Sequence, residues 1–297
     1  MLLQLAWRNL WRNPNRSLIT MASVWCAVVL AVAMSSLQKG VFDNLISNVV
    51  SFYSGYVQVH RAGYQSEQTL ENSFPLTDSI QNAVLSSPGV AAATPRLEAF
   101  ALASTGEKTK GCLVAGIAPE TEDLVTRLKS KVVAGNYLHD SSQAILIAEG
   151  LAKRLQTGVG DTVILLGQGY YGSTAAGKYA VGGILHFGSP ELNDQVVFLP
   201  LALAQHWLDA PGLATTLVIS PKKPAATEQT AAQLRASLPA DFETLTWQEM
   251  MPDIHEHIQT DTASSVIILG VLYLLISFGI FATLLMMLAE RQRGFGM

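Results

Sequence analysis

Two long uncharged apolar runs interrupt an otherwise mixed pattern of hydrophobic and polar positions. The first, Leu18–Leu37, has 20 residues, and the second, Val266–Leu288, has 23. About 20 helical residues cross a hydrocarbon core roughly 30 Å thick. A cleaved signal peptide is the alternative for the first run, but its apolar region would be only about 7–15 residues long. No small-residue cleavage site follows at Gln38–Gly40. The pattern therefore predicts transmembrane helices at 18–38 and 264–289.

The stretch between the two runs mixes short strand-like and helix-like patterns. Helical spacing continues past the first run and resumes before the second, which predicts helical stalks at 39–52 and 248–263. Strict strand–helix–strand alternation is absent, so the pattern favours an α+β domain. The predicted strands are 55–60, 91–95, 99–104, 111–116, 144–147, 163–166, 179–185, 195–199, 214–220 and 242–247, and the predicted helices are 77–85, 149–155, 201–208 and 227–238.

The first 17 residues predict an amphipathic interfacial helix. Two tryptophans and three arginines recur at helical spacing on adjoining stripes, a pattern in which indoles lie at headgroup depth and guanidiniums meet anionic lipid. The residues expected to anchor the chain at the membrane interface are Trp7, Arg8, Trp11, Arg12 and Arg16. This helix either anchors and orients the first span or forms a collar around a bundle of helices.

Charge is scarce and unevenly distributed. Only 14% of the 297 residues are charged, 49% are hydrophobic and the formal net charge is −4. This composition excludes a disordered chain, a collagen-like repeat and a disulfide scaffold, and the acidic balance argues against a nucleic-acid partner. Residues 1–17 carry +3, residues 290–297 carry +1, and residues 38–263 carry −8. The positive-inside rule therefore predicts that both termini are cytoplasmic and that the large domain is extracytoplasmic.

The sequence offers little catalytic chemistry. Gly172–Tyr179 nearly fits a phosphate-binding loop, but Tyr179 replaces the required Ser or Thr and a strand follows, so a hairpin tip is the better interpretation. His255 and His257 are two apart, which places them on different faces of a helix. The two cysteines, Cys26 in the first span and Cys112 in the domain, are not expected to pair. We therefore predict no catalytic residue, no cofactor and no metal site.

A resemblance runs along nearly the whole chain. The order of its motifs resembles ABC-transporter permeases of the MacB/FtsX type, whose outer region is the MacB-like periplasmic core domain. The matching segments are Ala6–Arg16 (AWRNLWRNPNR), Ala134–Leu138, Glu149–Leu155, Val159–Thr162, Val181–Ile184, Thr246–Trp247 and Glu290–Arg293. The segment Gly55–His60 resembles the lipoprotein-releasing LolC/LolE-like subgroup.

The resemblance implies a non-catalytic membrane subunit in the bacterial inner membrane. Its partners would be a cytoplasmic ABC ATPase dimer, which hydrolyses ATP, and a second permease copy or a paralogue. The periplasmic core domain at 39–263 would have two subdomains, one made of about 52–118 and 210–250 and one inserted at about 119–209. Family members have four spans, so the chain is expected to be truncated after the second. The segment 290–297 would begin the coupling region that touches the ATPase, and the residues expected there are Glu290, Arg291, Arg293, Gly294 and Phe295.

The expected function is conformational transmission from the ATPase to the periplasmic domain, for release of a lipoprotein or export of an amphiphile. An FtsX-like regulator whose outer domain activates a cell-wall hydrolase is the alternative; the 226 residues between the runs favour the first, because FtsX-type outer loops resemble smaller single domains. A two-span sensor or adhesin without an ATPase partner is a third hypothesis. In the family, an acidic residue usually follows Arg-x-Arg, where this chain has Gly294.

Overall fold

A computed structural model describes residues 14–46, 50 and 53–294. Contacts divide the chain into two compact units. One contains the two long helices, and the other is a domain that extends from Leu45 to Pro252. Each unit is described separately below.

The helical unit consists of α1 (Pro14–Ile46) and α9 (Pro252–Gly294). Proline suits the first turn of a helix because the amide hydrogen it lacks would have no partner there. Within these helices, Met21–Phe42 and Pro252–Ala282 are long and apolar enough to cross a membrane. Their large apolar side chains are exposed: 70% of the surface of Trp25 and 68% of the surface of Ile267 are accessible. Such continuous apolar surface suits a lipid environment and would be unfavourable in water.

The two long helices also contact each other. The Gln38 side-chain amide donates a hydrogen bond to the backbone carbonyl of Asp261, 3.1 Å away. Ala31 is buried, whereas most of its neighbours on α1 are exposed. Both predicted apolar runs lie within this helix pair. The predicted stalk at 39–52 is helical to Ile46, and residues 47–49 and 51–52 lie outside the described part of the chain.

One half of the domain is an antiparallel sheet covered by two helices. Its elements follow the order β1 (Val57–Arg61), α2 (Asp78–Leu85), β3 (Val90–Ser104), β11 (Thr216–Pro221), α7 (Thr227–Ser237) and β12 (Phe242–Thr246). The strands lie in the order β12-β1-β11-β3, and all neighbours are antiparallel. This β-α-β-β-α-β order with the split central pair is the ferredoxin-like arrangement. Its core contains Val57, Val59, Val84, Leu217, Ile219, Ala231 and Leu234.

The chain between β3 and β11 builds the other half of the domain. In order, it contains β4 (Thr109–Ile117), α3 (Pro119–Thr126), β5 (Val132–Gly135), β6 (Ala144–Ala148), α4 (Glu149–Leu155), β7 (Thr162–Gln168), β8 (Thr174–Leu185), α5 (Pro190–Gln195), β9 (Val196–Pro200) and α6 (Leu201–Trp207). The short strands β2 (Phe74–Pro75) and β10 (Leu213–Ala214) pair with each other.

Six of the strands close into a small barrel. Successive neighbours are β3, β4, β9, β6, β8 and β7, and β7 pairs back onto β3. Because side chains alternate across a strand, one set of positions fills the barrel interior. That interior contains Leu97, Ala99, Ala101, Ala103, Cys112, Val114, Ile145, Ile147, Val163, Leu165, Val181, Val197 and Leu199. A second cluster covers part of the outside and includes Ile117, Leu128, Leu138, Leu146, Leu185, Phe187 and Phe198.

Strand β3 belongs to both halves. One edge of β3 pairs with β4 from Arg96 to Ser104. The opposite edge is shared by β11 and β7. Residues 90–96 pair with β11, and residues 101–104 pair with β7. The prediction of two separate strands at 91–95 and 99–104 was wrong. Arg96 and Glu98, which lie between the two predicted strands, belong to one continuous strand, where Arg96 pairs with the buried Glu122 and with Glu98.

Most predicted elements are present, with several corrections. Helix Glu149–Leu155 was predicted with its observed bounds, whereas α3, α5 and β5 were not predicted. The predicted strand 214–220 is interrupted at Thr215, and Trp247 begins a short helix, α8 (Trp247–Met250), instead of ending a strand. The second stalk was predicted as one helix from residue 248, but Met251 separates α8 from α9.

Candidate functional site

The chain enters and leaves the domain at neighbouring positions. The entering segment, Tyr53–Tyr56, leads into β1, and the leaving segment is α8, directly after β12. The backbone amide of Trp247 donates to the carbonyl of Tyr56 at 3.0 Å. The Gln65 side chain donates to the carbonyl of Met250 at 3.3 Å. The two connections therefore reach the domain at one place, which we call the root of the domain.

The entering segment is fixed tightly against the sheet. Gly55 has a φ of +70°, and a Cβ atom there would lie 2.4 Å from a methyl of Val218 on β11. Its amide donates to the carbonyl of Val50 at 2.7 Å. The Gln58 side chain donates to the carbonyl of Ser54 at 2.6 Å. Glycine is the residue that tolerates both this backbone conformation and this close approach.

Arg96 is the most heavily bonded side chain at the root. It is fully buried, and its Nη2 donates to the carbonyl of Tyr53 at 2.7 Å. The same guanidinium forms a bidentate pair with Glu122, with Nη2–Oε1 at 2.6 Å and Nε–Oε2 at 3.1 Å. Nη1 donates to Oε1 of Glu98 at 3.4 Å, and the ring of Tyr53 lies 4.9 Å from the guanidinium carbon. The planar fork of arginine suits this divided geometry.

The partners of Arg96 are themselves held in place. Glu122 is fully buried on α3, and its Oε1 accepts a second hydrogen bond from the Thr126 hydroxyl at 2.8 Å. The Tyr53 hydroxyl donates to Glu98 at 3.3 Å. The Tyr137 hydroxyl donates to the carbonyl of Pro119, also on α3, at 3.0 Å. The cluster thus joins the entering segment, the shared strand β3 and helix α3.

Burial and neighbouring charges shift the pKa values of Arg96 and Tyr53. Burial alone would lower the pKa of Arg96, but the Glu122 carboxylate outweighs burial and raises that pKa above its ordinary value. Burial, and secondarily the charge of Glu98, raises the pKa of the Tyr53 hydroxyl well above its usual range. Arg96 therefore stays protonated at neutral pH, and we call its arrangement with Glu122, Glu98 and the carbonyl of Tyr53 the clamp.

The leaving segment carries a capping box. The Glu249 carboxylate accepts hydrogen bonds from the amide of Thr246 at 2.8 Å and from its hydroxyl at 3.1 Å. Arg235 on α7 donates to the same carboxylate at 2.5 Å and to the carbonyl of Thr244 at 2.9 Å. Such caps satisfy amide groups at the start of a helix that have no partner within it. The start of α8 is thereby tied to β12 and α7.

A groove lies on the outside of the barrel. Its volume is about 850 Å³. The apolar side chains of Phe100, Leu102 and Leu166 line it, and they keep 62%, 48% and 41% of their surface exposed. Lys110 and an Arg154–Asp194 ion pair complete the lining. The groove therefore combines exposed apolar side chains with charged ones.

The predicted coupling and anchoring residues lie at the margins of the described chain. Glu290, Arg291, Arg293 and Gly294 form the end of α9, where the structure describes the backbone. Arg16 lies near the start of α1. Residues Trp7, Arg8, Trp11, Arg12 and Phe295 lie outside the described residues. Their roles at the ATPase and at the membrane interface remain predictions.

The structure places the phosphate-loop-like sequence and the two stalk histidines as follows. Thr174–Lys178 belongs to strand β8 and Tyr170–Gly172 forms the turn before it, so no helix follows the phosphate-loop-like sequence. His257 faces Asp261 at 3.7 Å and His255 faces Gln259 at 2.8 Å, one helical turn away in each case. Within the described residues, no group of three His, Cys, Asp or Glu side chains is placed to hold a metal ion.

The two cysteines are unpaired. Cys26 is exposed on α1, and Cys112 is buried in the barrel, where burial raises the pKa of its thiol to about 12. A thiol with so high a pKa is protonated at neutral pH and is a poor nucleophile.

Sequence reasoning missed the Arg96 cluster. The signal was a single arginine between apolar residues of a strand, because a buried arginine requires a partner carboxylate. Its partner, Glu122, lies 26 positions further along the chain in a helix that was not predicted.

Comparison with known proteins identifies the family. A sequence model described as the MacB-like periplasmic core domain matches residues 17–237. A structure of the extracellular domain of the noncanonic ABC-type transporter YknZ from Gram-positive bacteria is 14% identical, with 65% of this chain and 100% of that domain covered and a TM-score of 0.45. The periplasmic region of MacB from Actinobacillus actinomycetemcomitans is 13% identical, with coverages of 69% and 94% and a TM-score of 0.46. Comparison with curated proteins gives no match.

The family match spans more than half of the chain and includes most of the first apolar helix together with most of the domain. The two apolar helices on either side of an α+β domain agree with it. The chain therefore belongs to the MacB-like periplasmic core domain family and is a membrane protein of the MacB/FtsX type of ABC-transporter permease.

Proposed function

We propose that this protein is the permease subunit that transmits the conformational cycle of a cytoplasmic ABC ATPase dimer to its own periplasmic domain. The observation that carries the proposal is the family match over residues 17–237, which covers both an apolar helix and most of the domain. Transmission requires an element with two states whose equilibrium both ends can bias. The root of the domain is where the two chain connections meet, so the movement would enter the domain there.

The cargo class that best fits the proposal is a lipoprotein or another amphiphile. The exposed apolar groove beside Phe100, Leu102 and Leu166 supports this assignment, because such a surface favours contact with an apolar chain. The chain would work as a pair, with a second copy or a paralogue, and would release or extrude its cargo from the outer leaflet.

The orientation that we propose places both termini in the cytoplasm and the domain in the periplasm. The charge distribution supports it, with +3 on residues 1–17, +1 on residues 290–297 and −8 between the spans. In a Cys26→Ser background, a cysteine at Tyr171, which is 82% exposed, should react with a membrane-impermeant maleimide in intact cells. A cysteine at Gln4 should react after permeabilisation only. The reverse labelling pattern would contradict this orientation.

ATPase association is tested with the full-length protein in detergent. Replacing Glu290, Arg291 and Arg293 together with alanine should reduce co-purification of the ATPase and its activity, because these residues begin the predicted coupling segment. Lys178→Ala, an exposed change on β8 of the periplasmic domain, serves as the matched control. A protein that retains no ATPase, or whose ATPase is unaffected by the triple substitution, would overturn the proposal.

The FtsX-like alternative predicts a different periplasmic partner. Photo-crosslinking from the groove at Leu102 should capture acylated cargo under our proposal. Capture of a cell-wall hydrolase or its adaptor would instead support regulation of that enzyme.

A further inference from the structure

We propose that Arg96 is a positioning residue for transmission, which locks the entering segment to both halves of the domain so that they respond as one body. The inference rests on the proposed function, because it assigns a place at which the transmitted movement enters the domain. It concerns a side chain that neither binds cargo nor touches the ATPase.

The first support is connectivity. Arg96 lies at the position of β3 where the two halves meet: it pairs with Thr216 of the ferredoxin-like sheet on one side and with Ile117 of the barrel strand β4 on the other. Its guanidinium holds the carbonyl of Tyr53 in the entering segment and the carboxylate of Glu122 on α3. A displacement of the entering segment is therefore passed directly to the strand shared by both halves.

The second support is the cost of the arrangement. Burying an arginine and a glutamate removes both from water, and an apolar pair of similar volume is often as stable. Folding stability alone therefore does not require this ion pair. A divided, directional bond to a backbone carbonyl fixes the position of the entering segment, which apolar packing does not do as strictly. The hydrogen bonds of Arg96 therefore suit a residue that fixes the position of the entering segment.

The third support is that the central ion pair is inaccessible to solvent. Arg96 and Glu122 have no exposed side-chain surface. Glu98, Tyr53 and Thr126 complete the hydrogen bonds around them. An ion pair closed off from water in this way suits rigid transmission of movement.

The test uses the full-length protein with its ATPase in nanodiscs, and the readout is amide hydrogen exchange with and without a non-hydrolysable ATP analogue. In the unmodified protein, the analogue should change exchange in residues 53–56 and in the barrel strands. In Arg96→Met/Glu122→Leu, which removes both members of the fully buried ion pair, the barrel response should be lost while ATP hydrolysis and the melting temperature remain close to those of the parent.

The matched control is Lys153→Met/Glu149→Leu, which removes an exposed ion pair from α4 and should leave the barrel response intact. Arg96→Lys provides a second variant if the double substitution fails to fold, because lysine keeps the charge opposite Glu122 but cannot reach the Tyr53 carbonyl with the same fork. It should lose most of the barrel response.

The outcomes separate the two proposals. A parent complex that shows no nucleotide-dependent response contradicts the proposed function itself. A parent that responds, together with folded Arg96 variants that respond equally, overturns the positioning role alone.

Discussion

At the scale of single residues, the charged side chains that are most costly to bury lie where each has several hydrogen-bond partners. Arg96 and Glu122 have no exposed side-chain surface and form two hydrogen bonds with each other. Removing one partner leaves the other as an uncompensated buried charge, which costs about 3–5 kcal/mol. Arg96→Ala should therefore lower the free energy of unfolding by about that amount, measured by urea denaturation. Lys153→Ala, at an ion pair whose lysine is 72% exposed, should change it by less than about 1 kcal/mol.

The burial of His60 predicts that the stability of the domain depends on pH. It is 1% exposed, and burial lowers its pKa from 6.5 to about 4. Its surroundings include Gln58, whose side chain lies 2.7 Å away, and the ring of Tyr64, with Glu243 opposite on β12. Because the unfolded chain binds the proton more tightly, the neutral histidine contributes stability above pH 6.5 that is lost as the pH falls towards 4.

The expected loss from His60 is about 3 kcal/mol between pH 7 and pH 4, at 1.36 kcal/mol for each pKa unit. The free energy of unfolding, plotted against pH across this range, should have a shallower slope in His60→Gln than in the parent. Equal slopes in the parent and in His60→Gln would exclude this assignment.

At the scale of elements, close packing between β4 and α6 depends on one glycine. A Cβ atom at Gly116 would lie 2.2 Å from the Cβ of Ala204 and 3.6 Å from the Cα of Leu201. Gly116→Ala should therefore force α6 away from the sheet and destabilise the protein by about 1–3 kcal/mol. Gly111→Ala on the same strand meets no atom within 4 Å and should change stability by less than about 0.5 kcal/mol. Equal melting temperatures for the two variants would contradict this packing.

Elements with clear periodicity were predictable from the sequence. Glu149–Leu155 combines an apolar stripe with an acidic first turn and a basic last turn, and its predicted bounds agree with the structure. Thr77 caps α2 by accepting a hydrogen bond from the Ile80 amide, and a helix was predicted there. Local pattern did not reveal α3, whose sequence is PETEDLVT and whose buried Glu122 has its partner in β3. The barrel closure was also beyond prediction, because it depends on which distant strands pair.

The candidate site was predictable in part. The resemblance named the coupling segment from Glu290 to Phe295, and this remains a prediction. The Arg96 cluster depends on a hydrogen bond to the backbone of Tyr53, 43 positions earlier. Backbone acceptors carry no residue-type signal, so no motif in the sequence could mark this contact.

At the scale of the whole molecule, we expect the domain without its apolar helices to fold alone. A fragment of residues 53–251 contains both halves and two buried tryptophans, Trp207 in the barrel core and Trp247 at the root. Because β3 is common to both halves, they should unfold in one cooperative transition. Each of the variants Trp207→Phe and Trp247→Phe retains one buried tryptophan, so its fluorescence during urea unfolding reports one half of the domain. The two fluorescence curves should have the same midpoint, and both should coincide with unfolding followed by circular dichroism. Two distinct midpoints would show that the halves unfold independently.

The shared strand also determines how members of this family can be recombined. A cassette cut at residues 119 and 209 would take β7 and β9 from a donor but leave β3 and β4, against which they pair, in the recipient. Every such chimaera would then contain two foreign strand interfaces inside the barrel. A cassette of residues 96–209 carries the six barrel strands together and keeps Arg96 with Glu98 and Glu122, so the junction falls beside this cluster and not through the barrel wall.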